Sequence, residues 1–280
     1  MNISIAYSPD TDDAFMVHAL RSGRIDTKGY TFTFVSDDIQ KLNEAALAES
    51  YDVTAISIAA YPALADNYLL MPIGASVGDA FGPALIVRKE SAIAVPSSLA
   101  GKRIAIPGRM TSAFFAARAL IGPFEEVPMP FFQIADAVRL GEVDAGILIH
   151  ELQLDCEEKG FRKVADLGRL WHARFGLPLP LGANAIRRSL GESVIREVTQ
   201  LMRESIEVGL AHRSETLKEA LAQSGASIGL DEGDRYISMY VNHRSLAFAR
   251  DVRSAVTRLL GEGVASGLCP AYDESRAYYE

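Results

Sequence analysis

The chain has 280 residues, 28 basic against 36 acidic side chains and 49% hydrophobic composition, enough to bury one large core or two smaller ones. A formal net charge of −8 offers no long-range attraction to phosphate backbones or anionic lipid, so nucleic acid and membrane surfaces are poor partners. The two cysteines, Cys156 and Cys269, have no neighbouring Cys or His at ligand spacing, so neither a disulfide framework nor a metal site is expected.

In chain order, residues 2–6 read as a short strand and residues 12–20 as a helix with Phe15, Val17, His18 and Leu20 inward. Residues 30–35 alternate Thr with aromatic side chains, a strand pattern. Asp37 or Asp38 can cap a helix whose Leu42, Ala45, Ala46 and Leu47 form an apolar stripe, and residues 53–58 follow as a buried strand. Residues 69–73 and 83–87 are further strands, divided by a glycine-bearing loop. A second unit repeats the alternation: a short helix from Ser97 or Ser98, a strand at 103–106, a Pro107-Gly108-Arg109 turn and a helix at 111–120. An extended stretch at 127–132, a helix at 134–140 and an apolar strand at 143–149 complete it. After a strand at 179–186 the chain is helical, with Val194, Val198, Leu201, Ser205 and Val208 on one face.

Strands separated by helices predict an α/β protein with parallel sheets and right-handed crossovers. If the chain crosses near Val87-Arg88-Lys89 and returns between Asn184 and Arg188, residues 1–88 plus 187–280 form one lobe and 89–186 the other. That crossing pattern is the architecture of type II periplasmic solute-binding proteins. Their ligands lie between the lobes, at carboxyl ends of strands and amino ends of helices.

Four places carry candidate chemistry. The turn Ser8-Pro9-Asp10-Thr11-Asp12-Asp13 follows the first strand, where backbone amides are unpaired, and capping by Asp10, Thr11 or Asp12 is the simpler role. In Thr54-Ala55-Ile56-Ser57 a buried strand meets a small-residue helix start, so Ser57 is either a ligand donor or a cap. Thr111 and Ser112 open a helix after a Pro-Gly turn, a geometry suited to anions, and Arg109 beside them is either a carboxylate clamp or a surface residue. His150 stands where an apolar strand ends, a position suited to proton transfer near neutral pH. No GxSxG, HExxH, CxxC or GxGxxG pattern is present.

Ile149-His150-Glu151, Val164-Ala165-Asp166-Leu167-Gly168, Trp171 and Gly176-Leu177-Pro178-Leu179-Pro180-Leu181-Gly182 resemble the menaquinone-biosynthesis family of the futalosine pathway. The likeness extends to Ser8-Pro9 through Phe15, Thr54 through Tyr61, Gly82-Pro83, Pro107-Gly108-Arg109 and Tyr240-Val241-Asn242. It is nearer the 1,4-dihydroxy-6-naphthoate synthase type than the chorismate dehydratase type. The resemblance implies a two-lobed lyase that converts cyclic dehypoxanthine futalosine to the naphthoate without metal or organic cofactor. It makes His150 the general base and Thr54, Ala55, Ile56, Ser57, Thr111 and Ser112 substrate-binding residues, and Ser8, Asp12 and Asp13 of the first turn are expected to bind the substrate as well.

Three positions depart from the family pattern. Asp10-Thr11-Asp12-Asp13 replaces a Cys-Pro-Asn-Asp run, Ala55 stands where the synthases can carry lysine, and Gln153-Leu154-Asp155-Cys156 replaces Arg-Phe-Thr-Tyr. A related enzyme acting on another cyclic or aromatic acid, and a non-catalytic small-molecule-binding protein, are the alternatives. The opening Met1-Asn2-Ile3-Ser4-Ile5-Ala6 has none of the features of a signal peptide, so a cytoplasmic protein is expected. A homodimer is compatible with the chain, although no residue pattern specifies one.

Overall fold

The alternation of strand and helix resolves into two sheets. The computed structural model describes residues 1–224 and 228–279. Its strands are β1 (Asn2–Tyr7), β2 (Thr31–Ser36), β3 (Val53–Ser57), β4 (Tyr68–Leu70), β5 (Ser76–Gly78), β6 (Ala84–Arg88), β7 (Arg103–Ile106), β8 (Glu125–Pro128), β9 (Ala145–Leu148), β10 (Phe161–Asp166) and β11 (Leu179–Arg187). The first sheet runs β2-β1-β3-β11-β4, with β5 on β11, and the second β10-β6-β9-β7-β8.

The expectation of purely parallel sheets holds only for part of each. β1 pairs β2 and β3 in parallel, as β7 pairs β8 and β9, and a helix lies in each of those crossovers. β6 and β11, which carry the chain between sheets, enter without such a crossover and lie antiparallel to their neighbours. The exchange points move accordingly. β6 already belongs to the second sheet and β11 to the first. The changeovers therefore fall between residues 78 and 84 and before residue 179, not after 88 and 186. The hydrogen-bond ladders decide this, and an apolar run cannot announce its sheet.

Helix Thr11–Arg21 is buried almost all round, because helices Glu192–Ala211 and Arg213–Ser224 lie across it. The helical tail thus returns to the first lobe and supplies its outer layer. Phe15, Met16, Leu20, Leu201, Met202 and Ile206 pack there with Ile3 and Ile5 of β1, each large side chain contributing about 1.5–3 kcal/mol by burial. A second apolar seam joins the lobes. Ala113, Phe114 and Phe115 of helix Ser112–Ile121 pack against Ile58, Ala59, Leu179, Val256 and Leu259 from the other side. None of the described helices is long and apolar enough to cross a membrane.

Candidate active site

Between the lobes lies a cavity of about 630 Å³, mouth included. The first lobe lines it with the turn after β1, the end of β3, Leu181 to Ala183 of β11, and Tyr236 and Tyr240. The second contributes Thr111, Ser112, Ile149, His150 and Gln153. The carboxyl ends of β1, β3, β7 and β9 thus converge on one space, as the alternating topology requires.

His150 is held from across the cleft. Its Nδ1 lies 2.5 Å from Asp10 Oδ2, and Phe131 meets the imidazole edge-on with ring centroids 4.6 Å apart. Its Nε2 is buried and has no protein partner. The residue sits at φ +55°, a left-handed conformation that non-glycine residues hold only when their contacts impose it. The free nitrogen is a group on the cavity wall able to take up a proton.

Asp10 occupies the cap position of helix Thr11–Arg21 but does not cap it, because its carboxyl turns to His150. Glu151 of the other lobe takes that role: Oε1 accepts the Thr11 backbone N–H at 2.6 Å and the Thr11 hydroxyl as well. Asp12 Oδ2 accepts from Ser76 Oγ at 2.6 Å, and Asp13 Oδ2 from the Ser8 amide at 2.8 Å. Four carboxyl groups therefore crowd one end of the cavity. Burial, then the charges of Asp13 and Glu151, hold Asp10 well above the usual carboxylate range. Burial, then Asp10, does the same to Asp12, and burial with Asp12 pushes Asp13 up to about 7. One oxygen each of Asp10, Asp12 and Asp13 lies within 4.8 Å of the others, a spacing a hard cation accepts. Each of the three already has a partner within the protein: His150, Ser76 and Ser8 respectively.

The structure sorts the expected binding residues. Ser8, Ala55, Ile56, Ser57, Thr111, Ser112, Asp12 and Asp13 line the cavity. Thr54 does not; it is fully buried and its hydroxyl donates to the Ala55 carbonyl at 3.0 Å. Ser57 does not cap the turn after it. Its amide donates to Asn43 Oδ1 at 2.9 Å and its Oγ accepts from Asn43 Nδ2 at 3.2 Å, which leaves the hydroxyl proton for a ligand. Thr111 caps helix Ser112–Ile121 and donates to the Gly108 carbonyl. Ser112 is committed between lobes, donating to the Leu181 carbonyl at 2.6 Å and accepting the Ala59 amide at 3.1 Å. Arg109 pairs with Glu126 on the surface and is absent from the cavity lining.

Tyr236, Tyr240, Gln153 and Ser76 were not among the expected site residues. The two tyrosines stand four apart on helix Leu230–Tyr240, with ring centroids 4.9 Å apart. Tyr240 accepts from Gln153 Nε2 at 2.8 Å across the cleft. Their i, i+4 spacing was visible as an aromatic stripe, but nothing local says which surface that helix covers.

Comparison with known proteins places this geometry. The chain is 34% identical over 266 residues, 95% of each chain, to the 1,4-dihydroxy-6-naphthoate synthase of Thermus thermophilus. Protein AF1704 of Archaeoglobus fulgidus, known from its crystal structure, is 40% identical with a TM-score of 0.89, covering 95% of this chain and 98% of that one. The alkanesulfonate-binding protein SsuA of Xanthomonas axonopodis pv. citri, bound to MOPS, reaches a TM-score of 0.78 at 16% identity, covering 99% and 98%. That likeness shows the fold alone, the two-lobed periplasmic-binding-protein type expected from the strand pattern. A match to the menaquinone biosynthesis family spans residues 3–264, and with the synthase likeness along nearly the whole chain, the protein belongs to that family.

Proposed function

We propose that the protein is a lyase of menaquinone biosynthesis that converts cyclic dehypoxanthine futalosine to 1,4-dihydroxy-6-naphthoate, with His150 as general base. The observation that carries this reading is the unpartnered His150 Nε2 on the wall of a buried cavity. A base poised near neutrality can take a carbon-bound proton next to a ketone, and the electron pair passes to the carbonyl oxygen. As the carbonyl reforms, the bond from the adjacent carbon to the departing fragment breaks, its electron pair leaves with that fragment, and the imidazolium returns its proton there. Ser57, with a hydroxyl proton to give, stabilises the developing oxyanion. Tyr236 and Tyr240 wall the aromatic part of the ligand. Biosynthetic relatives support a cytoplasmic location.

The test is incubation of the purified protein with cyclic dehypoxanthine futalosine, with the naphthoate detected by mass. His150→Ala should lower kcat on the order of 10²–10⁴-fold while naphthoate binding by calorimetry stays within a few-fold. Full activity of the variant would remove His150 from the mechanism.

One observation favours a second reading, a related lyase with a less anionic ligand. Among the described residues none lining the cavity is Lys or Arg, while Asp10, Asp12 and Asp13 are. A folded protein that leaves the spiro compound intact would select this second reading.

A further inference from the structure

Asp10 and His150 come from opposite lobes. Asp10 follows β1 of the first sheet, and His150 follows β9 of the second. Taking His150 as the base proposed above, we propose that Asp10 is its positioning residue and that the pair is completed only when the lobes close.

A neutral imidazole carries one N–H, and the partner of one nitrogen decides which nitrogen is basic. Asp10 Oδ2 faces Nδ1 at 2.5 Å; in the proposed pair Asp10 accepts the Nδ1 proton, which leaves the Nε2 lone pair facing the cavity. Asp10 is buried and beside Asp12, Asp13 and Glu151. A carboxyl so placed needs a hydrogen-bond partner, and the His150 imidazole supplies it. Phe131 fixes the ring plane from the side.

The segment around His150 is tied to the first lobe along its length. Glu151 holds Thr11, Gln153 holds Tyr240 and Asp155 pairs with Arg235 at 2.8 Å, and each of these contacts crosses the seam. The left-handed backbone at His150 is sustained by the same contacts. Parting the lobes breaks the set together and releases the imidazole from its carboxylate. Ligand entry requires such parting, because Ser8, Ser57, Thr111, Ser112, Tyr236 and Tyr240 of the lining are all under 5% exposed. Beyond the pair, Pro9 and Phe131 line a surface groove of about 1090 Å³, so Asp10 and His150 stand between solvent and cavity. Closure on the ligand and assembly of the base are then one event.

The experiment uses the full chain with imidazole ¹⁵N labelling, and 1,4-dihydroxy-6-naphthoate as probe under anaerobic conditions. In the wild type, ¹⁵N shifts of His150 should report mainly the Nε2–H tautomer without the probe and the Nδ1–H tautomer with it. Asp10→Ala and Asp10→Asn should lose the Nδ1–H form with the probe bound. Their kcat should fall on the order of 10²–10⁴-fold with KM within about threefold. Near-UV circular dichroism checks their folding. An Nδ1–H tautomer persisting in Asp10→Ala, or kcat within threefold of wild type, overturns the positioning role. The same Nδ1–H signature with and without the probe overturns the coupling to closure. If the wild type leaves the spiro compound intact, the proposed reaction fails, while the ¹⁵N measurements still decide the role of Asp10.

Discussion

Glu151 Oε1 accepts the Thr11 backbone N–H at 2.6 Å, so a carboxylate of the second lobe caps the first helix of the other. Removing it leaves a buried amide and a buried hydroxyl without their acceptor, at a cost of about 1–3 kcal/mol. Glu151→Ala should show that loss in urea unfolding. Glu151→Gln, which keeps a carbonyl acceptor, should lose less than half as much. Equal losses in the two variants would show that the acceptor is not what matters there.

Asp13 supplies a pH dependence of stability. Its carboxyl is pushed up to about 7 in the fold, by burial first, against about 3.9 in an unfolded chain. Between those values the folded state holds the extra proton, so stability falls as pH rises from 4 to 7 and stays lower above. Asp13→Asn keeps an acceptor for the Ser8 amide and removes the charge. It should stabilise the protein by on the order of 1–3 kcal/mol at pH 8 and by little at pH 4, read from urea midpoints. A stabilisation that is the same at both pH values would contradict the assignment.

Ser112 is a latch between lobes, and its hydroxyl has no proton left for a ligand. Ser112→Ala strands the Ala59 amide and the Leu181 carbonyl, which predicts a loss of about 1–3 kcal/mol in stability. Naphthoate affinity, measured by calorimetry, should change less than about fivefold. A large loss of affinity without loss of stability would restore the anchor role expected from the resemblance.

Gly168 marks a close backbone approach. A Cβ there would run into the carbonyl of Phe81, and Phe81 in turn packs edge-on against Tyr240 at 5.4 Å. Backbone cannot yield as a side-chain tip can. Gly168→Ala should therefore cost at least about 3 kcal/mol or prevent folding, seen as a lowered Tm or insoluble protein. A Tm within 2 °C of wild type would mean that the two segments can separate freely.

Much of this architecture was legible as pattern. The strands at 2–6, 53–58 and 103–106 and the helices at 12–20, 111–120 and 134–140 each carry a burial period that local physics imposes, and they stand within a residue or two of expectation. Strands Ser76–Gly78 and Phe161–Asp166 carried no such mark. The first is three residues long, and the second has the charged run Arg162-Lys163 on a partly exposed surface. His150 stood out because an imidazole ended an apolar run.

What the sequence by itself determined is the alternation, hence two α/β sheets with their strand ends turned toward one cleft, since side-chain periodicity is a local property of the chain. Only the tertiary structure decided which polar groups meet. Asp10 and His150 lie 140 residues apart, Ser112 found two backbone partners in place of a ligand, and Tyr240 arrived from a tail helix. The acidic excess took on meaning in the same way. A formal charge of −8 says nothing of position, but docking the lobes buries Asp10, Asp12 and Glu151 together around one histidine, because hydrogen-bond partners are chosen through space after the segments pack.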